Sequence, residues 1–410
     1  MDIPGLPARK GALRLIDAVL NRGETLDQSA HNALQGVHGQ ADKALARALA
    51  GEALRWLTDL DAMIDSATRL VLAPDTKARS VLRLMLAGWL RLETPPHAVI
   101  ATGLPLLTGG PRRLAHGVFS TLVKQAVTLP AMPTLPAAVQ ARWGERAAAI
   151  AAGLAALPPL DLVLRDPAQT SEWTERLGGT SLFPGHVRLG RGTAVENLEG
   201  YDEGAWWVQD LAASLPAQLL GPGAGRSVLD LCAAPGGKTL QLAAAGWQVT
   251  ALDASERRLE RVKQNLGRTV LTAELITADA LEWEPAAQFD AVLLDAPCTA
   301  TGTARRHPDV VHRIGPRQIT EMAELQAALL RRAAGWVKPG GVLVYAVCSL
   351  EAEEGAAQAA SVSLTAEPVR SDELPAGLAP SADGWLRTDP GMLAEAGGLD
   401  GFFVARWRKG

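Results

Sequence analysis

The sequence predicts a multidomain chain: an all-α bundle, then a small α+β module, then an α/β domain with a doubly wound, mostly parallel sheet. Three observations predict it. Residues 9–128 carry apolar positions at helical spacing and no strand-like alternation. From about residue 206, short runs rich in Val, Leu and Ile alternate with helical stretches, as in a parallel sheet covered on both faces. Between these regions the texture changes twice. The expected organisation is a helical bundle over 1–130, a linker and spacer helix over 131–159, the α+β module over 160–205, and the α/β domain over 206–410.

In the first region, Leu13, Ile16 and Leu20 share a helical face, as do Leu54, Leu57, Leu60 and Ile64. KARSVLRLMLAGWLRL (77–92) is apolar enough for a central, buried helix. TPPH (94–97) breaks the pattern, because proline disfavours helix in the residue before it. A bundle of about five to seven helices follows. After PAMPTLP, the stretch AAVQARWGERAAAIAAGLAAL (137–157) reads as one spacer helix. LDLVLRD (160–166) and HVRLGRG (186–192) read as strands around a short helix at TSEWTERLG (170–178). The α/β domain then offers five strands: SVLDLCAA (227–234), QVTALDA (248–254), AELITAD (273–279), AVLLDAP (291–297) and GVLVYAVCS (341–349). FFVARW (402–407) fits an added antiparallel strand.

With 48% apolar and 20% charged residues, the composition is that of an ordinary soluble chain. The net charge is −4 but uneven: residues 1–130 hold 15 Lys and Arg against 11 Asp and Glu, and the remainder 25 against 33. The mild basic surplus suits either phosphate contacts or a solvated helical surface. Three cysteines, not closely paired, argue against a disulfide framework and for a reducing, cytoplasmic setting. No targeting segment is visible. The uncharged run Ala147–Leu160, 14 residues with two prolines, is too short to cross a bilayer, so no membrane is expected.

Three ligands compete for the loop after SVLDLCAA. A phosphate-binding loop needs Gly, four residues, then Gly-Lys-Ser/Thr. Gly237, Lys238 and Thr239 satisfy the end, but Cys232 occupies the first position. A dinucleotide loop needs three spaced glycines, and only Gly236 and Gly237 are present. S-adenosylmethionine carries no phosphate; it needs a tight turn around its amino-acid part and a carboxylate for its ribose. Asp253, Asp279 and Asp295 each close a strand, and ligands of open α/β sheets sit outside those strand ends. Turn or capping roles are the bland alternative for each aspartate taken singly.

Cys298 and Cys348 end adjacent predicted strands, which brings them to one edge of the sheet. Either could be a small buried hydrophobe. A thiolate beside S-adenosylmethionine suits methylation of a pyrimidine at carbon 5. That carbon becomes nucleophilic only when a nucleophile has added at carbon 6. Such chemistry wants a thiolate, a carboxyl at the pyrimidine edge and a proton acceptor. Asp295 and the two cysteines can supply these parts, and residue types alone leave open which thiol attacks.

DLCAAPGGKT (230–239), ALDASERRLERV (251–262), DAPCTATG with RRHPDV (295–310), YAVCSLEAEEG (345–355) and the lead-in EGAWWVQD (203–210) together resemble the RsmB/Sun-type RNA cytosine-C5 methyltransferase family. LAGWLRLETPPHAVI (86–100) resembles the NusB-type helical RNA-binding domain. The resemblance implies a NusB-like bundle and a Rossmann-like methyltransferase domain acting, as a cytoplasmic monomer without metal, on small-subunit (16S) ribosomal RNA. It implies a cofactor loop of Cys232, Ala233, Ala234, Pro235, Gly236, Gly237 and Lys238. Asp253 would bind the ribose of S-adenosyl-L-methionine, Asp279 would lie near the adenine, and Asp295 would reach both the methionyl end and the base. Cys348 would attack carbon 6 and Cys298 would assist release. Transfer RNA is the rival substrate, and a non-catalytic RNA-binding assembly factor the rival function. Arg305, Arg306 and His307 would either touch RNA phosphates or lie in a solvated loop.

Overall fold

A computed structural model describes residues 3–190, 192 and 194–410. Arg191, inside the predicted strand HVRLGRG, lies outside the described residues. The chain packs as two compact units, Met1–Ala156 with Ala304–Ile314, and Leu157–Thr303 with Gly315–Gly410.

Seven α-helices among the described residues build the first unit up to residue 124: Leu6–Arg22, Leu26–Ala33, Gln40–Arg55, Leu57–Ser66, Lys77–Leu90, Pro96–Gly103 and Gly109–Lys124. Local chemistry sets their starts. Thr25 and Gln28 form a reciprocal capping box, and Pro96 opens its helix where no N–H partner is needed. Leu15, Ile16, Leu49, Leu54, Leu60, Ile64 and Phe119 fill the core. The central helix is buried from Ala78 to Gly88, and its Arg79 and Arg83 remain inside because Asp61 and Asp65 pair with them.

The Ala-rich spacer is two helices rather than one, Ala137–Trp143 and Ala147–Leu154. Gly144 separates them at φ +53°, ψ −134°, a conformation that side chains with a Cβ avoid. Asp59 holds the linker by accepting from the Thr134 N–H at 2.9 Å and its hydroxyl at 2.6 Å.

Residues 304–314 belong to this helical unit. The Arg55 guanidinium donates to the Arg305 carbonyl at 2.8 Å, and His312 Nε2 lies 2.7 Å from the Leu54 carbonyl. Arg305 is 2% exposed, which corrects the expectation that it sits in a solvated loop or reaches a phosphate.

The second unit contains two sheets. In the smaller, β1 (Leu160–Leu164) lies between β2 (His186–Leu189) and β3 (Trp206–Val208), all antiparallel. The small module therefore uses residues on both sides of position 205. Its centre is ionic: buried Asp161 accepts two hydrogen bonds from Arg188, at 2.7 and 2.8 Å. Burial would raise the Asp161 pKa, but Arg188 and His186 hold it well below the usual carboxylate range.

The larger sheet uses β4 (Ser227–Leu231), β5 (Gln248–Asp253), β6 (Glu274–Thr277), β7 (Phe289–Asp295), β8 (Val337–Val347), β9 (Thr365–Ala366), β10 (Leu386–Thr388) and β11 (Phe402–Arg408). Its order is β10-β11-β8-β7-β4-β5-β6, with β9 beside β11. The pairs among β4 to β8 are parallel, and β11 runs antiparallel to β8, as the sequence predicted for FFVARW. Alternation splits the apolar residues between two cores. Val228, Ala251, Leu293 and Val344 pack on one face; Leu229, Leu231, Leu294 and Leu343 pack on the other with Leu329, Leu330 and Trp336 of the helix Pro316–Trp336. From β4 the chain winds outward through β5 and β6, then returns to β7 on the opposite side of β4. That reversal leaves a crevice outside the carboxyl ends of β4 and β7, where a doubly wound sheet binds its ligand.

Candidate active site

The loop after β4 folds against that crevice. Cys232 has φ +59°, and the chain turns so that Ala233 donates to the Leu252 carbonyl of β5 at 3.1 Å. Pro235 follows a cis peptide bond. Gly236 caps the helix Gly237–Ala244 in the left-handed conformation. Asp253, 3% exposed at the end of β5, braces the loop: Oδ2 accepts from the Ala234 N–H at 3.1 Å and Oδ1 from the Ser255 N–H at 2.9 Å. Arg258 pairs with Asp253 at 3.0 Å and donates to the Ala234 carbonyl at 2.8 Å.

Lys238 crosses to the other side of the crevice. Its Nζ donates to Asp295 Oδ2 at 2.6 Å and lies 5.3 Å from the Phe402 ring centre. Asp295, the last residue of β7, keeps 31% of its side chain exposed. Behind this pair lies Asp230, which is fully buried in β4. The Thr239 hydroxyl donates to Oδ2 at 2.6 Å, whereas Oδ1 has no hydrogen-bond partner among the described residues. Burial pushes the Asp230 pKa up to about 7, against the pull of Thr239. Burial, followed by the charges of Asp295, Asp253 and Asp230, pushes the Cys232 thiol up to about 12. Cys232 is thus held protonated and is a poor nucleophile.

The two other thiols meet. Cys298 follows β7, Cys348 follows β8, and their Sγ atoms lie 3.4 Å apart. The contact with Cys348, then burial, raises the Cys298 pKa well above the ordinary thiol value. Backbone contacts join the loops as well: Gly302 donates to the Cys348 carbonyl at 3.0 Å, and its own carbonyl accepts from the Gly401 N–H at 2.8 Å. A Cβ at Gly302 would stand 2.0 Å from the Gly401 oxygen, so only glycine permits this approach.

Asp279 differs from expectation. β6 ends at Thr277, so Asp279 stands beyond the strand, exposed. Its Oδ1 accepts from the Leu281 N–H at 2.8 Å and caps the turn that follows. The structure gathers Cys232 through Lys238, Asp253 and Asp295 around one crevice, and Cys298 beside Cys348. Sequence reasoning missed Asp230, Thr239 and Arg258. A signal existed for the first: an acidic residue in the middle of a strand buried on both faces is out of place unless it has work there.

Comparisons with known proteins agree with this geometry. Residues 217–408 match the family described as 16S rRNA methyltransferase RsmB/F, and residues 6–106 match the NusB family. The chain is 36% identical to "Ribosomal RNA small subunit methyltransferase B" of Klebsiella pneumoniae, over 97% of each chain. It is 32% identical to the protein of that name from Xanthomonas campestris, over 98% of this chain and 97% of the relative. Among solved structures, "PH0851" superposes over all of both chains with a TM-score of 0.73 at 22% identity, a likeness of fold. A methyltransferase homologue from Pyrococcus horikoshii aligns with 66% of this chain and 93% of its own, with a TM-score of 0.55 at 27% identity. No helix of the described residues is long and apolar enough to cross a membrane. An α/β crevice with a braced glycine loop, two touching thiols and a full-length relationship at this identity place the chain in the ribosomal RNA small subunit methyltransferase B family of S-adenosylmethionine-dependent methyltransferases.

Proposed function

We propose that the protein methylates carbon 5 of a cytidine in small-subunit (16S) ribosomal RNA, through a covalent bond between Cys348 Sγ and carbon 6. The observation that carries this reading is the 3.4 Å contact between Cys298 and Cys348, on the edge of the sheet that also presents Asp295. Names of the relatives and the NusB-family match favour ribosomal over transfer RNA. Three free cysteines fit a reducing compartment, and we place the protein in the cytoplasm as a monomer that uses no metal.

The residues fit the cofactor. Fully buried Asp230 keeps an oxygen without a partner behind the Lys238–Asp295 pair, which suits a site for a cationic ligand. Cys232 to Lys238 would line the amino-acid part of S-adenosylmethionine, Asp253 the ribose and Asp279 the adenine. Bound there, the cofactor supplies an electrophilic methyl group. Cys348 Sγ, as thiolate, bonds to carbon 6 while Asp295 holds a proton at N3, and carbon 5 becomes nucleophilic. After transfer a base removes the carbon 5 proton. The C–H electrons restore the C5–C6 double bond, and the carbon–sulfur pair returns to Cys348. Cys298 assists this release: its protonated thiol can hydrogen-bond the departing sulfur. The target cytidine must first leave its stack to enter the crevice.

The test is covalent trapping. Cys298→Ala, incubated with S-adenosylmethionine and 16S RNA, is expected to accumulate a protein–RNA adduct on a denaturing gel. Cys348→Ala should form neither adduct nor product. An adduct that needs Cys298 and survives loss of Cys348 reverses the roles. Bisulfite sequencing of 16S RNA from a deletion strain names the nucleotide.

A further inference from the structure

We propose that Glu354 is a positioning residue that holds the two reactive thiols together; this rests on the methyl-transfer reading above. Glu354 is fully buried, and its hydrogen bonds go to the residues beside the two sulfurs, which hydrogen-bond to each other. Its carboxyl group gathers donors from both thiol loops and from a third element. From the loop after β7, Thr299, adjacent to Cys298, gives its N–H to Oε2 at 2.9 Å and its hydroxyl to Oε1. From the loop after β8, Ser349, adjacent to Cys348, gives its hydroxyl to Oε1 at 2.8 Å. Gln326, on the helix Pro316–Trp336, donates to Oε2 at 2.9 Å and to the Pro297 carbonyl at 2.8 Å. Both carboxyl oxygens are thus doubly used, and the residues immediately after the two cysteines share one acceptor, Oε1.

Glu354 itself is fixed. The Tyr345 hydroxyl donates to its carbonyl at 2.6 Å, and Tyr345 sits in β8, three residues before Cys348. Ser349 further accepts from the Glu351 N–H at 3.1 Å, and Thr301 accepts from the Leu350 N–H at 3.0 Å. The loops also meet directly, through Gly302 and the Cys348 carbonyl and through 3.3 Å contacts of the Ser349 hydroxyl with those of Thr299 and Thr301. Glu354 is the charged acceptor that the neighbours of both cysteines share, and a loop is softer than the strands it leaves. Removing it leaves only the direct contacts, so the two loops can shift relative to one another. Attack on carbon 6 followed by release requires both sulfurs at one pyrimidine, and misplacement by about 1 Å costs on the order of 100-fold in rate.

Two variants of the full chain, Glu354→Ala and Glu354→Gln, test this with three readouts. Thiol proximity is read as fluorescent cross-linking of Cys298 to Cys348 by dibromobimane in a Cys232→Ser background. S-adenosylmethionine binding is read by calorimetry, and methyl transfer to 16S RNA by single turnover. Glu354→Ala is expected to lose cross-linking and to slow transfer by about 100-fold, with cofactor affinity unchanged. Gln reaches as far, and the rotatable Thr299 and Ser349 hydroxyls can accept from its amide, so Glu354→Gln should stay within about tenfold of the parent. Parental cross-linking and transfer in Glu354→Ala overturns the proposal. So does a Glu354→Gln variant that cross-links normally but is as slow as Ala, because the carboxylate then acts chemically. If Glu354→Ala lacks a folded circular dichroism spectrum, Ser349→Ala, which removes one strut only, carries the same expectations at smaller size. Cross-linking does not depend on the reaction: if the parent cross-links but methylates no RNA, the methyl-transfer reading has failed while the positioning of the thiols stands.

Discussion

Asp230 and Glu354 are both fully buried carboxyl groups in the same catalytic unit, yet their surroundings are opposite. Glu354 receives hydrogen bonds from Thr299, Ser349 and Gln326, drawn from three separate elements. Asp230 receives one, from Thr239, and its Oδ1 has none. A buried carboxyl group with every lone pair used works as a structural clamp. One left short of donors, with its pKa pushed up to about 7 by burial, is kept for a ligand at a cost in stability. On the proposed function, the thiol half of the crevice is built for rigidity and the cofactor half for binding.

The largest effect that could break this contrast is on the thiol side. Glu354→Ala leaves the Thr299 N–H and the Gln326 amide buried without their acceptor. We expect a loss of about 3–5 kcal/mol in urea unfolding. A loss below about 1 kcal/mol would show that water or a neighbour replaces the carboxyl group freely, and the clamp would be no clamp.

On the cofactor side the sign reverses. The Asp230 pKa, about 7 in the folded protein, lies above the ordinary carboxylate value near 4 in the unfolded chain. Between those pH values the folded state binds more protons than the unfolded one. The contribution of Asp230 is therefore fully present below about pH 4 and is lost as pH rises through about 7. Asp230→Asn does not titrate. Relative to the parent, this variant should be more stable by about 2–4 kcal/mol at pH 8, with the advantage vanishing near pH 4. Unfolding midpoints in urea at pH 5, 6.5 and 8 decide it. A variant that is equally destabilised at all three values would mean that Asp230 is as well satisfied as Glu354.

Much of this was legible in the sequence, and the boundary of legibility is physical. Strand–helix alternation and the three cysteines at strand ends follow from local pattern, so the order of elements and the meeting of Cys298 with Cys348 could be anticipated. Features set by distant partners could not. Thr299 and Gln326 find Glu354 across 55 and 28 residues, and nothing near Glu354 in sequence distinguishes it from its neighbours Glu351 and Glu353. Arg305 looks like a solvated basic residue until Arg55, 250 residues away, is seen to hold its carbonyl. Asp279 reads as a strand end because the apolar run points to it, but the strand stops at Thr277 and the carboxyl group turns to a local N–H. Gly144 divides a stretch whose alanines favour continuous helix, since one backbone conformation outweighs summed propensity.

The smallest expected effect sharpens the cofactor half of the contrast. Among the described residues Thr239 is the one donor to Asp230, and its hydrogen bond is the main influence pulling that pKa down against burial. Thr239→Val keeps the shape and deletes the hydroxyl. The folded-state pKa of Asp230 should then rise further, so the loss of stability, which begins near pH 4 in both proteins, should continue to a higher pH than in the parent. Above pH 8 the variant should be less stable by about 1 kcal/mol, the ordinary worth of one buried hydrogen bond. In an Asp230→Asn background the same change should no longer shift the pH dependence, because the titrating group is gone. The double-mutant cycle, measured at pH 5 and pH 8, isolates the coupling. Coupling that is larger at pH 8 identifies a bond to the ionised carboxylate. Equal coupling at both values would place the Thr239 hydroxyl among the merely structural contacts, and Asp230 would then depend on burial and its charged neighbours Asp295, Lys238 and Asp253 alone.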